Sequence, residues 1–158
     1  GAKAPDAPAE LLERFRGPAA SAGDLVDRLE AGQSALLEAL AAQSKRPPIV
    51  IEGDVHATAS AKIVRSGELT LARPVNLVVS GALGTGDLGF AAAARTAGAR
   101  PSQLLALEEA LKPTEKNGFT IIDVTPKKMT FRQFVWRPPQ APAEIDGMPP
   151  AFGYDVVR

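Results

Sequence analysis

The stretch Pro47-Pro48-Ile49-Val50-Ile51-Glu52-Gly53-Asp54-Val55-His56 constrains the fold more than any other. An apolar run opened by prolines and closed by a glycine reads as a short buried strand in an α/β sheet. Gly53 breaks that strand and presents Asp54 and His56 just past its end. A carboxylate and an imidazole two residues apart at the mouth of a sheet form a candidate metal site. The plain alternative is a turn aspartate beside a hydrogen-bonded histidine. His56 is the only histidine, so this chain offers it no histidine partner.

Composition narrows the function classes. With 158 residues, 45% of them hydrophobic, the chain can bury one core, as one domain or part of a larger one. No apolar run approaches the roughly 20 residues that a membrane-spanning helix needs. Eighteen basic residues balance eighteen acidic ones, which removes any bulk electrostatic case for nucleic acid or an anionic membrane. The absence of cysteine excludes disulfides and thiolate metal sites, leaving oxygen and imidazole donors. Gly1 to Ala9 lacks the apolar core of a signal peptide, and the compartment stays open.

Three regions are expected: a flexible or short helical segment over 1–20, a domain portion over 21–138 and a proline-rich tail over 139–158. Pro8 to Phe15 suits a short helix. A longer helix is predicted from Ala22 to Gln43, capped by Ser21 with Asp24 three residues on. Its apolar stripe is Leu25, Leu29, Gly32, Leu36 and Leu40. Ala61 to Val64 and Val75 to Val79 read as strands, with a turn at Ser66-Gly67 and Pro74 introducing the second. Pro101 to Leu111 reads as a helix. Gly118 to Val124 and Met129 to Trp136 form the clearest hairpin, joined by Thr125-Pro126-Lys127-Lys128. Adjacent apolar residues on both hairpin strands imply burial on both faces. Lys127, Lys128, Arg132 and Arg137 read as solvated turn and edge charges rather than a phosphate patch. Beyond Arg137 the prolines suggest a draping tail, anchored by Phe152 and Tyr154.

The run Ser80-Gly81-Ala82-Leu83-Gly84-Thr85-Gly86-Asp87-Leu88-Gly89 contains a G-x-G-x-x-G pattern and must be weighed as a dinucleotide fingerprint. Four residues separate the pattern from the strand before it, and no strand ending in an acid follows about 20 residues later. A glycine loop beside an active site fits better. Its candidate substrate-binding residues are Gly84, Thr85 and Gly86.

Three segments in order, Pro48 to Ala57, Ser80 to Gly89, and Asn117 to Pro126 with Met129 to Pro138, carry a resemblance. Together they resemble the C-terminal part of a calcineurin-like metallophosphoesterase of the alkaline phosphatase D type. In that type Gly-Asp-x-His stands where relatives have Gly-His-x-His. The resemblance implies part of an α/β/β/α sandwich with a C-terminal β-hairpin. It also implies two divalent or trivalent metal ions in the complete enzyme, and hydrolysis of a phosphate ester by a metal-bound hydroxide. His56 would then be a metal ligand and Asp54 a ligand or its supporting group. The family's earlier motifs, Asp-x-His, Gly-Asp-x-x-Asp and Gly-Asn-His, are absent from the residues before Pro47. Two side chains cannot hold two ions. The chain therefore reads as a fragment whose partner is the missing N-terminal part of the same domain, poorly stable alone. The competing reading is a non-catalytic relative that binds a partner through a sheet edge or the tail.

Overall fold

The computed structural model describes residues 22–53, 56–84, 100–136 and 140–158, without the side chains of residues 22–28 and 142. Helix α1 (Ala22–Ala41) is followed by strands β1 (Ile49–Glu52), β2 (Thr58–Ser66), β3 (Leu69–Ser80), β4 (Leu105–Thr114), β5 (Asn117–Val124) and β6 (Lys128–Trp136). A single turn of helix, α2 (Pro142–Ile145), and strand β7 (Phe152–Val157) complete the order. The Pro8 to Phe15 helix and the Ser21 cap lie outside the described residues.

The strands form two sheets. One is four-stranded in the order β1-β3-β2-β4, and the other three-stranded in the order β5-β6-β7. β1 runs parallel to β3, and every other pairing is antiparallel. The class is α/β.

Helix α1 packs Leu37 and Ala41 onto Ile63, Leu71 and Val75 of the larger sheet. On that sheet's opposite face Val78 meets Phe131 and Val156 of the smaller one. Val75, Val78 and Phe131 are fully buried, each contributing about 1.5–3 kcal/mol of apolar transfer.

The helix ends where Arg73, reaching over from β3, donates to the Gln43 carbonyl and, at 3.4 Å, to that of Arg46. These bonds tie the segment that leaves the helix to β3.

Several expectations change. The buried face of α1 is Leu37, Leu40 and Ala41, while Leu29 and Leu36 of the expected stripe stay 55% exposed. Periodicity finds a stripe, but the strands beneath decide which edge of it is covered. The expected helix over Pro101 to Leu111 is instead β4. Leu, Ala and Glu favour a helix by only tenths of a kcal/mol, and pairing along nearly all of β2 outweighs that.

Val75 to Val79 belongs to a twelve-residue strand that runs through Pro74. Pro74 fits because the β2–β3 register jumps there, from Arg65↔Thr70 to Ile63↔Val75. A bulge needs no ladder donor. The expected draping tail also contains a strand, since Phe152 to Val157 pair with β6.

The hairpin stands as expected, with Phe119 opposite Phe134, Ile122 opposite Phe131, and a turn at Thr125 to Lys128. Burial on both faces holds for part of it: Phe131 and Gln133 are buried on the face toward the larger sheet and Phe134, stacked on Phe119, on the other. The smaller sheet turns the Arg132–Asp123 and Lys128–Asp155 ion pairs to solvent.

Candidate functional site

The site is built at the carboxyl ends of β1 and β3. β1 stops at Glu52, the exposed Gly53 follows, and His56 lies two residues before β2 begins. His56 is half-buried, with its Nδ1 shielded from solvent. Asp54 lies outside the described residues, as do Thr85 and Gly86 of the glycine loop. Gly84 is described and exposed.

A close-packed junction fixes this end of the molecule. Thr58, the first residue of β2, is fully buried and pairs with Ser80, the last residue of β3. Gly81 follows with φ +82°, the left-handed conformation glycine adopts without strain. A Cβ built on Gly81 would meet the Thr58 hydroxyl at 2.6 Å, and one on Gly118 would meet it at 2.3 Å. The Gly118 N–H then donates to the Ala82 carbonyl at 2.9 Å. The segments after β1, after β3 and at the start of β5 are thus held against one another. Asn117, beside Gly118, is 2% exposed. Thr58, Asn117 and Gly118 are absent from the sequence-based candidates. The signal for them was a glycine inside a strand pattern, which marks close backbone approach.

Beneath the junction Gln133 of β6 crosses between the sheets. Its Nε2 donates to the Ala59 and Val79 carbonyls, each at 3.1 Å, and its Oε1 accepts from the Ser60 hydroxyl at 2.6 Å. Gln133 has no exposed surface. Tyr154 lies close by, stacked on Phe131. Burial raises its phenol pKa and the neighbouring Ser60 hydroxyl opposes the rise, although the phenolic oxygen makes no hydrogen bond of good geometry.

On the helix side of the larger sheet an apolar groove of about 290 Å³ runs over Leu77, Val79, Ala59 and Leu111 toward Glu52 and Ala57. It ends next to the His56 segment. Lys127, Lys128 and Arg132 do not join the site. Lys128 and Arg132 pair on the outer face of the smaller sheet, and Lys127 lies in the turn at the opposite end of the strands.

A metal ion held by protein takes about four to six donors. Among the described residues no three His, Asp or Glu side chains converge on a point. An imidazole from His56 and a carboxylate from Asp54 suit such an ion chemically, but they supply only part of its shell. Among the described residues no complete metal shell is present.

Among the described residues no helix is long and apolar enough to cross a membrane. No family model, curated protein or solved structure matches the chain.

Proposed function

We propose that this chain supplies the last ligand segment, Asp54 and His56, of a metal-dependent phosphoric ester hydrolase. The remaining donors come from polypeptide outside these 158 residues. One observation carries the reading: two of the segments that resemble the metallophosphoesterases touch at Gly81, Ala82 and Gly118, and both pack on Thr58, the residue directly after the first segment. They meet at the carboxyl ends of two parallel strands, where open α/β sheets place their ligands.

In this reading the sheets belong to an α/β/β/α sandwich. Two metal ions, when bound, would supply Lewis-acid stabilisation of charge on the phosphoryl oxygens. The chain's own residues hold and orient. The β1–β3 pair fixes where His56 emerges, and Thr58 with the two glycines sets the distance from His56 to the loop at Gly84. Backbone N–H groups of Gly84, Thr85 and Gly86 are suited to an anionic ester, because glycine lets a ligand approach the main chain.

The experiment is metal content and phosphoesterase activity, measured on the complete translation product that contains this chain, with Mn²⁺, Zn²⁺ or Fe³⁺ supplied. Bound metal and hydrolysis of bis(p-nitrophenyl) phosphate are expected, with both falling at least about 100-fold in His56→Ala. A complete product that takes up none of these ions overturns the reading and leaves a non-catalytic binding module.

A further inference from the structure

The larger sheet has two edges, and they differ. At one, β4 exposes Glu108, Glu109 and Lys112, holds Pro113, and pairs with β2 through repeated register shifts. Charges, proline and bulges are the devices that keep an edge from pairing. At the other, β1 is Ile49-Val50-Ile51-Glu52, with an unbroken register against β3 and neither proline nor lysine.

The hydrogen-bond phase shows what that edge offers. The Asn76 N–H donates to the Pro48 carbonyl at 2.9 Å. In a parallel ladder alternate residues then serve alternate neighbours, so Pro48, Val50 and Glu52 serve β3. The N–H and C=O groups of Ile49 and Ile51 point the other way, where no described strand lies.

The side chains add to this. Ile49 packs toward the smaller sheet, and Ile51, on the same face, is 49% exposed. Val124, at the end of edge strand β5, is 69% exposed. Ile49 and Val124 line one hollow of about 450 Å³, floored by Met129 and Val156. Among the described residues the two sheets are therefore open on the same side, and none of those residues caps the shared apolar layer. The hollow's rim carries Arg46, Lys127, Lys128 and Arg158, and among the described residues no carboxylate side chain lines it.

We propose that β1 is an interior strand of the functional molecule. A further strand, from the polypeptide segment that carries the missing donors, joins it in parallel. The inference rests on the hydrolase reading and names the partner of its site. Parallel polarity is chosen because open α/β sheets carry their ligands at the carboxyl ends of strands. A strand added parallel to β1 ends beside His56, so the loop after it can reach the same ion. An antiparallel one would end at Arg46 and Pro47, the far end of the sheet. The joining strand is apolar on the face toward the smaller sheet, where it covers Ile51 and Val124, and the cationic rim calls for acidic residues at its amino end.

Amide-resolved hydrogen exchange tests this on the complete translation product and on the 158-residue chain side by side. The amides of Ile49 and Ile51 are expected to exchange at least about 100-fold more slowly in the complete product. Ile51→Pro removes an outward donor and none of the bonds to β3. It should abolish protection at Ile49 and lower metal content, while the amides of β2 facing β3 stay protected. Ile51→Lys provides a second variant with the backbone donor intact, and should lower metal content as well. Equal exchange at Ile49 and Ile51 in the two proteins overturns the proposal. That result covers a product no longer than this chain, and one in which two copies pair through β1. Protected amides without bound metal would sink the hydrolase reading and leave the seam. Bound metal with unprotected amides would do the reverse.

Discussion

Replacing Gln133 by leucine keeps the side-chain volume roughly constant and removes every polar link that residue makes between the sheets. Three hydrogen bonds go, to the Ala59 carbonyl, the Val79 carbonyl and the Ser60 hydroxyl. Each is worth about 0.5–1.5 kcal/mol net, and each buried group left without a partner costs about 1–3 kcal/mol. Ser60 can turn toward the Tyr154 phenol, so its share is recoverable. The two carbonyls keep partners in the β2–β3 ladder, where Ala59 and Val79 stand opposite one another. A loss of about 2–4 kcal/mol is expected from the bonds themselves, a sizeable part of the 5–15 kcal/mol typical of a whole domain.

Urea unfolding followed by the fluorescence of Trp136, the only tryptophan, measures it. Ser60→Ala, which removes a single bond, should cost about 1 kcal/mol and still fold. Its effect and that of Gln133→Leu should fall short of adding in the double variant, because they share a bond. A loss below about 1 kcal/mol for Gln133→Leu would refute the view that this glutamine ties the two sheets together.

Gly118→Ala brings a methyl group within 3.0 and 3.1 Å of the Phe134 and Ser80 carbonyl oxygens as well as onto Thr58. A loss of about 1–3 kcal/mol is expected in the same assay, and Thr58→Ala should relieve only part of it. Gly81→Ala should cost about 1–2 kcal/mol for its left-handed φ, beyond the clash with Thr58. Tyr154 is the only tyrosine, so tyrosinate absorbance reports on it alone. Its ionisation midpoint should lie above that of a free tyrosine side chain, since burial disfavours the phenolate. The neutral phenol is the form the fold prefers. Its contribution is complete below the unfolded-state pKa and is lost as pH rises through the folded-state value, so unfolding should become easier in alkali. Tyr154→Phe should remove that alkaline dependence. The Asp155 carboxyl, held below the usual carboxylate range by hydrogen bonds from Lys128 and Thr130, is exposed, and Asp155→Asn should leave the melting temperature unchanged in salt.

What the sequence disclosed was local. Pro47-Pro48 and Gly53 bracket β1 as expected, although β1 is a half-exposed edge strand rather than a buried one, and the Thr125 to Lys128 turn sets the hairpin register, because these features act within a few residues. What it hid depends on partners far away. Leu105, Leu107 and Leu111 suit a helix face as well as a strand face, and only the neighbouring β2 decides between them. Phe152 and Tyr154 were legible as anchors, but β7 needs the edge of β6 to become a strand. Pro74 argued for a strand start until a bulge made room for it. The position of His56 just past a strand was readable. Thr58 and Gly118 were not, since their importance lies in touching each other.

Parallel pairing also sets an order of assembly. β2 and β3 close through a tight turn at Gly67, and β5 closes on β6 across four residues, so both hairpins can form quickly from neighbouring chain. β1 must instead find β3 across the whole of β2, with Ile49 settling beside Asn76, and it gains only four residues of ladder for doing so. It is therefore the strand expected to dock last and to detach first. The segment that follows it, with His56, would be set in place by that final zipping event.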